Sequence, residues 1–335
     1  MSDKYLIIDS RPYGLFSIFL HTIDCLKWCE DNKHIPFIRW ASGRININLK
    51  RQGAHEASLN GHPRFVLDKE NFVTDEKLEN NKKYCLYAEK ENDNVWEYYF
   101  EPVNTTTIET ALNNNPKIND IFMCGELDFD LNNKFLIRNI YSYDSLKLWS
   151  VAGTTQELQH REEINNIIKK YVKIKDYIIE KVENFFNIKM KSKTLIGVHV
   201  RGTDKKSEYP FKQLTINDYA INIKEIINNI KTEDYKIYIA SDNNESIVSL
   251  ANIFGKDKVV AYPSLRIPKF YASVPMCLLD NIDRKIHGEQ TLIEMLLLSM
   301  CNYIIGTDSN LTAAANFFNP VAEFVYLNRE NGNRS

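Results

Sequence analysis

Thr194–Lys205, TLIGVHVRGTDK, is the stretch on which the reading of the whole chain turns. It begins as an apolar run of strand length. It ends in His199, Arg201, Asp204 and Lys205, with Glu208 close behind. Side chains alternate across a strand, so Leu195, Gly197, His199 and Arg201 share one face and Ile196, Val198 and Val200 the other. A strand this apolar on both faces belongs inside a parallel sheet. In open sheets of that kind ligands bind beyond the carboxyl ends of the strands, where His199 and Arg201 would stand. Arginine offers a planar, always charged fork that suits phosphate oxygens. The plain alternative is a surface arginine paired with Asp204 and a histidine satisfied by backbone. Position alone does not choose between the two.

Downstream of this strand the pattern is regular. Helix TINDYAINIKEIINNI (215–230), strand KIYIAS (236–241), helix ESIVSLANIF (245–254) and strand KVVAY (258–262) follow in turn. Helix EQTLIEMLLLSMC (289–301), strand YIIGT (303–307), helix LTAAANFF (311–318) and strand AEFVYL (322–327) complete the series. Thr215 stands three before Asp218, the spacing of a capping box. Strands alternating with helices predict a parallel sheet covered on both faces. Upstream, KYLIID, a turn with Gly14, an amphipathic run from Leu15 to Leu26 and IPFIRW read as β-turn-α-β, the opening of a second doubly wound unit. Residues 41–94 are polar and weakly patterned. Thr155 to Phe186 reads as two helices. The expected organisation is an N-terminal α/β domain over 1–165, a helical linker over 166–190 and a C-terminal Rossmann-like domain over 191–335. The fold class is α/β.

The 335 residues are 44% hydrophobic and 12% aromatic, which fits a folded chain large enough for two domains. A formal net charge of −2 gives no electrostatic case for a nucleic-acid or membrane-surface binder. The start, MSDKYLIIDSRPYGLF, does not read as a signal peptide, and no stretch approaches the length of a membrane span. A cytoplasmic location is expected. The six cysteines form no CxxC pair and have no histidine cluster beside them, so buried free thiols are expected.

Three further features carry chemistry. Strand KIYIAS runs into Asp242, Asn243 and Asn244, where a helix N-cap is the simplest role. Glu294 lies amid Leu292, Ile293, Met295 and Leu296; if it is buried it needs a partner, and helical spacing leaves open a solvent-facing position. Strand YIIGT runs into Asp308, Ser309 and Asn310 at a helix start, whose free N–H groups and dipole suit a phosphate; simple capping by Ser309 is compatible with that. Asp128-x-Asp130 has the spacing of a divalent-cation motif, but a lone pair of this kind is weak and no metal is expected. Tyr13, Phe16, Trp40, Trp96 and Tyr99 have the shape to stack on sugar rings, with core packing the favoured role for most.

Over about Leu195 to Phe317 the motifs GVHVRGTDK, IYIASDNN and IEMLLLSMCNYIIGTDSNLTAAA resemble, in order and spacing, those of the alpha-1,6-fucosyltransferase superfamily, which includes bacterial nodulation-type enzymes and, more distantly, protein O-fucosyltransferases. In the N-terminal half only the turn and helix around Gly14 is similar. The resemblance implies a GT-B fold, two Rossmann-like halves facing across a cleft, with a GDP-sugar as co-substrate and a glycan as acceptor. It implies that Arg201 grips the β-phosphate, that His199 and Glu294 touch guanine, and that Gly202, Lys205, Asp308, Ser309, Asn310 and Gly14 belong to the donor site with Asp242. Asp204 and Lys205 would order the loop and the leaving group, and catalysis would be inverting and metal-free, with no cofactor. The chain departs from the family pattern at Gly202, where a second arginine is common, and at Glu294, where aspartate is common. Glu208, the nearest candidate base, falls one residue early, with Tyr209 at the aligned position. Fucose is the donor sugar the resemblance implies. Another GDP-sugar, a different nucleotide with a metal at Asp128-x-Asp130, or a binding protein of this fold without turnover are the competing readings.

Overall fold

The computed structural model describes residues 5–10, 14–41, 65–67, 72–74, 85–89, 93–107, 110, 121–124, 129–130, 136–137, 155–201, 214–266, 282–307 and 309–327. The chain forms two compact units. One holds residues 1–144 with 170–173, the other 145–169 with 174–335.

The first unit has a three-stranded parallel sheet in the order β2-β1-β5, from β1 (Tyr5–Asp9), β2 (Ile35–Arg39) and β5 (Ile121–Cys124). Helix α1 (Leu15–Asn32) links β1 to β2, the expected β-α-β opening, and buries Leu15, Phe16, Phe19, Ile23 and Leu26. Two short antiparallel pairs, β3 (Phe65–Leu67) with β4 (Phe72–Thr74) and β6 (Phe129–Asp130) with β7 (Leu136–Ile137), complete its strands among the described residues. After β2, Asn94 ties down the chain: its Oδ1 accepts from Trp40 N at 2.9 Å and its Nδ2 donates to Ile38 O at 3.1 Å. This seats Trp40 against Trp96 and Phe100, with Trp96 opening the one-turn helix α2 (Trp96–Tyr99). Trp40, Trp96 and Tyr99 are at most 1% exposed, so these aromatics are core and not a sugar platform; Phe16 is buried with them. Tyr13 lies outside the described residues. Trp40 Nε1 donates to Thr22 Oγ1 at 3.0 Å, which satisfies the indole N–H in the apolar interior. Cys25, Cys29, Cys85 and Cys301 are buried thiols outside any disulfide, as expected.

Helix α3 (Thr155–Tyr171) and helix α4 (Asp176–Phe185), the latter ending in a π-turn over Phe186–Met190, are the two helices expected over 155–186. In the second unit Asn165 Nδ2 of α3 donates to Phe317 O at 2.6 Å, and α4 packs on the Arg284–Ser299 helix. The sheet has five parallel strands: β8 (Thr194–Val200), β9 (Tyr235–Ser241), β10 (Val259–Val260), β11 (Tyr303–Gly306) and β12 (Glu323–Tyr326). Their order is β10-β9-β8-β11-β12. The chain therefore moves outward from β8 in one direction, then returns to β8's other side with β11. This reversal between β8 and β11 is a topological switch point, where an open α/β sheet leaves a crevice at its carboxyl edge.

One face of the sheet is covered by α5 (Ile216–Asn229) and α6 (Asn244–Phe254). Ile196, Val198 and Val200 of β8 pack there with Ile223, Ile237 and Leu250. The capping box is formed: Asp218 N donates to Thr215 Oγ1, and Thr215 N to Asp218 Oδ2. The other face receives α7 (Arg284–Ser299) and α8 (Asn310–Phe318). Gly197 permits this close seating, because a Cβ there would stand 2.6 Å from Leu298 Cδ1 and 2.9 Å from Cys301 Sγ. Among the described residues no helix is long and apolar enough to cross a membrane.

Candidate active site

The alternation read from β8 holds: His199 and Gly197 face the α7/α8 side, opposite Val198 and Val200. His199 is 6% exposed, and its Nδ1 lies 2.8 Å from Thr312 Oγ1 on α8. That bond fixes the ring and presents its opposite edge away from α8. Thr312 can reach it because Gly306, at the end of β11, leaves room: a Cβ there would come within 2.6 Å of Thr312 Cγ2. Arg201 follows β8 directly and is half-buried at the carboxyl edge.

Next to it across the switch point, β11 runs into the start of α8. Ser309 is the N-cap residue by backbone geometry, and its carbonyl accepts from Ala313 N at 2.9 Å. Its side chain makes no cap bond. Ser309 Oγ and Thr307 Oγ1 are both buried without a hydrogen-bond partner, in residues 1% exposed. Buried hydroxyls are normally satisfied, and leaving one unmade costs about 1–3 kcal/mol. Two such hydroxyls beside the free N–H groups of a helix start form a neutral cradle for an anion.

The second cluster lies on α7. Glu294 is buried, not solvent-facing, at 6% exposure. Arg266 Nη1 stands 2.6 Å from its Oε1, an ion pair rather than an aligned hydrogen bond. Burial pushes the Glu294 carboxyl up to about 7, against the pull of Arg266; Asp242, at the end of β9, adds to the rise. Tyr238 of β9 is buried close by, and burial also drives its phenol upward. Asp242 is not the cap of α6: Asn243 takes that role, with its Oδ1 accepting from Ser246 N at 2.9 Å. Asp242 instead belongs electrostatically to the Glu294 cluster.

Among the residues expected at the site, the structure thus joins His199 to the helix headed by Ser309 and Asn310, and Glu294 to Asp242. Gly14 lies in the first unit as the N-cap of α1; its backbone is extended, and a Cβ would meet nothing within 4 Å, so the fold does not require glycine there. Gly202, Asp204, Lys205, Glu208 and Asp308 lie outside the described residues. So does Asp128, and Asp130 is described in its backbone alone; among the described residues no group of three His, Cys, Asp or Glu side chains gathers as a metal site would. Sequence reading missed Thr312, Thr307 and Arg266. Thr312 carried a signal, since it follows Ser309 by three on a helix otherwise rich in alanine. Arg266 carried none, because it stands far from Glu294 in the sequence.

No family model matches the chain, and no curated protein matches it. Solved structures do. The fold is of the GT-B type, an α/β class built from two Rossmann-like units. The chain is similar to NodZ alpha-1,6-fucosyltransferase co-crystallized with GDP, with a TM-score of 0.54 and 13% identity over 98% of this chain and 97% of that one. NodZ soaked with GDP-fucose gives 0.51 and 14%, over 94% and 92%. Fucosyltransferase NodZ from Bradyrhizobium gives 0.51 and 14%, over 94% and 93%.

Proposed function

We propose that this chain is a glycosyltransferase that uses a GDP-sugar, with fucose as the sugar, and transfers it to a hydroxyl of a glycan. The observation that carries the reading is the pair of unpartnered hydroxyls, Thr307 and Ser309, at the start of α8 beside Arg201 and the His199–Thr312 pair, all at the switch point of the second unit. Likeness in fold to a fucosyltransferase co-crystallized with GDP supports it.

In this reading the diphosphate lies against Ser309 Oγ and the N–H groups of Asn310 and its successors, and Arg201 neutralises the charge that builds on the departing phosphate. Guanine meets His199 and Glu294; a carboxylate suits it because N1–H and the 2-amino group are parallel donors. A base removes the acceptor proton as the hydroxyl attacks the anomeric carbon from the face opposite GDP, giving inversion without a metal. Glu208 is the candidate base, and Asp204 and Lys205 order its loop. The protein works as a cytoplasmic enzyme.

Incubation with GDP-fucose and mixed oligosaccharides tests this. GDP release and a glycan heavier by one deoxyhexose are expected, unchanged by EDTA and lowered by about 10²–10³ in Arg201→Ala with no change in melting. Strict manganese dependence, or turnover of UDP-sugars alone, would sink the reading. GDP binding without turnover would favour a binding protein, the outcome to which Gly202 in place of a second arginine points.

A further inference from the structure

The loop after β10 is clamped to α7 at two points. Leu265 N donates to Gln290 Oε1 at 2.8 Å, and Arg266 pairs with Glu294. Gln290 and Glu294 are four apart, so they lie one above the other on the same helix face. Arg266 is itself held: its Nη2 donates to Tyr262 O at 2.7 Å, and its side chain is 14% exposed. One arm of the guanidinium is thus tied to its own loop and the other meets the carboxylate. Because the fork is rigid, the direction of Glu294 follows from the loop.

We propose that Arg266 is a positioning residue for recognition of the donor base: it favours the charged form of the Glu294 carboxyl and aims it, so that it can accept two parallel N–H donors from a guanine edge. This rests on the GDP-sugar reading above. Arg266 engages Oε1, and a carboxylate has about four acceptor positions, which leaves capacity for the base.

The surroundings of Glu294 explain why such a residue is needed. Its neighbours along α7, Leu292, Ile293, Met295 and Leu296, are buried, and a carboxyl so placed takes up a proton unless a cation offsets the desolvation. Tyr238 on β9 and Asp242 just after it supply no positive charge, and Asp242 opposes ionisation. Tyr262 and Ser264, in the loop, are neutral. Lys181 of α4 goes to Glu289 at 2.5 Å. His199 of β8 is bonded to Thr312, and α8 carries no ionisable side chain. Among the described residues Arg266 is the cation at Glu294.

Calorimetric titration of GDP and inosine diphosphate into the full chain tests the assignment, using wild type, Arg266→Ala, Arg266→Lys and Glu294→Gln between about pH 6 and about pH 8.5. Melting of each variant confirms its fold. Glu294→Gln should weaken GDP by about tenfold or more and erase its advantage over inosine diphosphate, which lacks the 2-amino group. Arg266→Ala should weaken GDP about tenfold near neutral pH, with the loss shrinking as pH rises and the carboxyl ionises unaided. Arg266→Lys should restore the pH profile by restoring the charge. An Arg266→Ala affinity and pH profile equal to wild type would overturn the proposal. So would a loss that is the same at every pH and is not rescued by lysine. If wild type ignores GDP, or Glu294→Gln binds it undiminished, the base reading itself falls and the role of Arg266 with it.

Discussion

The two halves of the candidate site are built on opposite principles. On the His199–Thr312–Ser309 side one short hydrogen bond and the room that Gly306 leaves set the parts in place beside the unpartnered hydroxyls of Thr307 and Ser309. The Glu294–Arg266 side is charged, buried and electrostatically coupled to Asp242. The first stores its readiness as the unmade hydrogen bonds of two hydroxyls, which carry no charge to titrate. The second stores it as a carboxyl in a place unfavourable to its charge, which is sensitive. An anionic diphosphate suits the first, and a base edge rich in N–H donors suits the second.

The contrast breaks most strongly at Glu294. Its carboxyl is raised to about 7 in the fold, so the native state holds a proton that the unfolded chain releases at lower pH. Its contribution is therefore full below about pH 4.5 and lost as pH rises to about 7, by up to about 3 kcal/mol. His287, on the same helix, is lowered to about 4 by burial and runs the other way, gaining stability as pH rises through that window. Wild type should show a shallow stability profile there, because the two slopes oppose. Glu294→Gln should leave the His287 slope alone, so that stability climbs from about pH 4.5 to about pH 6.5 in denaturant titrations. A profile parallel to wild type would refute the buried, raised carboxyl.

On the His199–Thr312 side Gly306→Ala should cost about 1–3 kcal/mol, because the new Cβ displaces Thr312. GDP affinity should fall with it, since His199 loses its anchor. Adding Thr312→Ala should restore melting but not affinity; recovery of both would show that the anchor does not matter. Ser309→Ala is the smallest effect and the sharpest in sign. Removing a buried, unpartnered hydroxyl should leave stability unchanged or raise it by about 1 kcal/mol, while GDP binds several-fold more weakly. A melting loss without an affinity loss would make Ser309 an ordinary cap.

Much of this was legible in the sequence because it is periodic. The alternation in TLIGVHVR separates His199 from Val198, and the capping box at Thr215 announces α5; both are local patterns set by backbone geometry. The strand order was not written there, since any strand in an α/β series can be central, and only pairing shows that β8 lies between β9 and β11. The burial of Glu294 was undetermined because α7 is apolar on nearly every face, which leaves no stripe to orient it. Asp242 and Asn243 looked alike as caps, and only the bond from Ser246 separates them. Thr155–Tyr171 showed by its spacing that it buries a face, but not against which unit.

The most direct measurement is a melting panel of the full chain with GDP, GMP, UDP and ADP, each with and without EDTA. A ligand that binds only the folded state raises the melting temperature by mass action. GDP should stabilise most, GMP less because it lacks the phosphate that the proposal assigns to Arg201 and Ser309, and EDTA should change nothing. Stabilisation by UDP or ADP equal to that by GDP would contradict the guanine half of the site, and GMP matching GDP would contradict the diphosphate half.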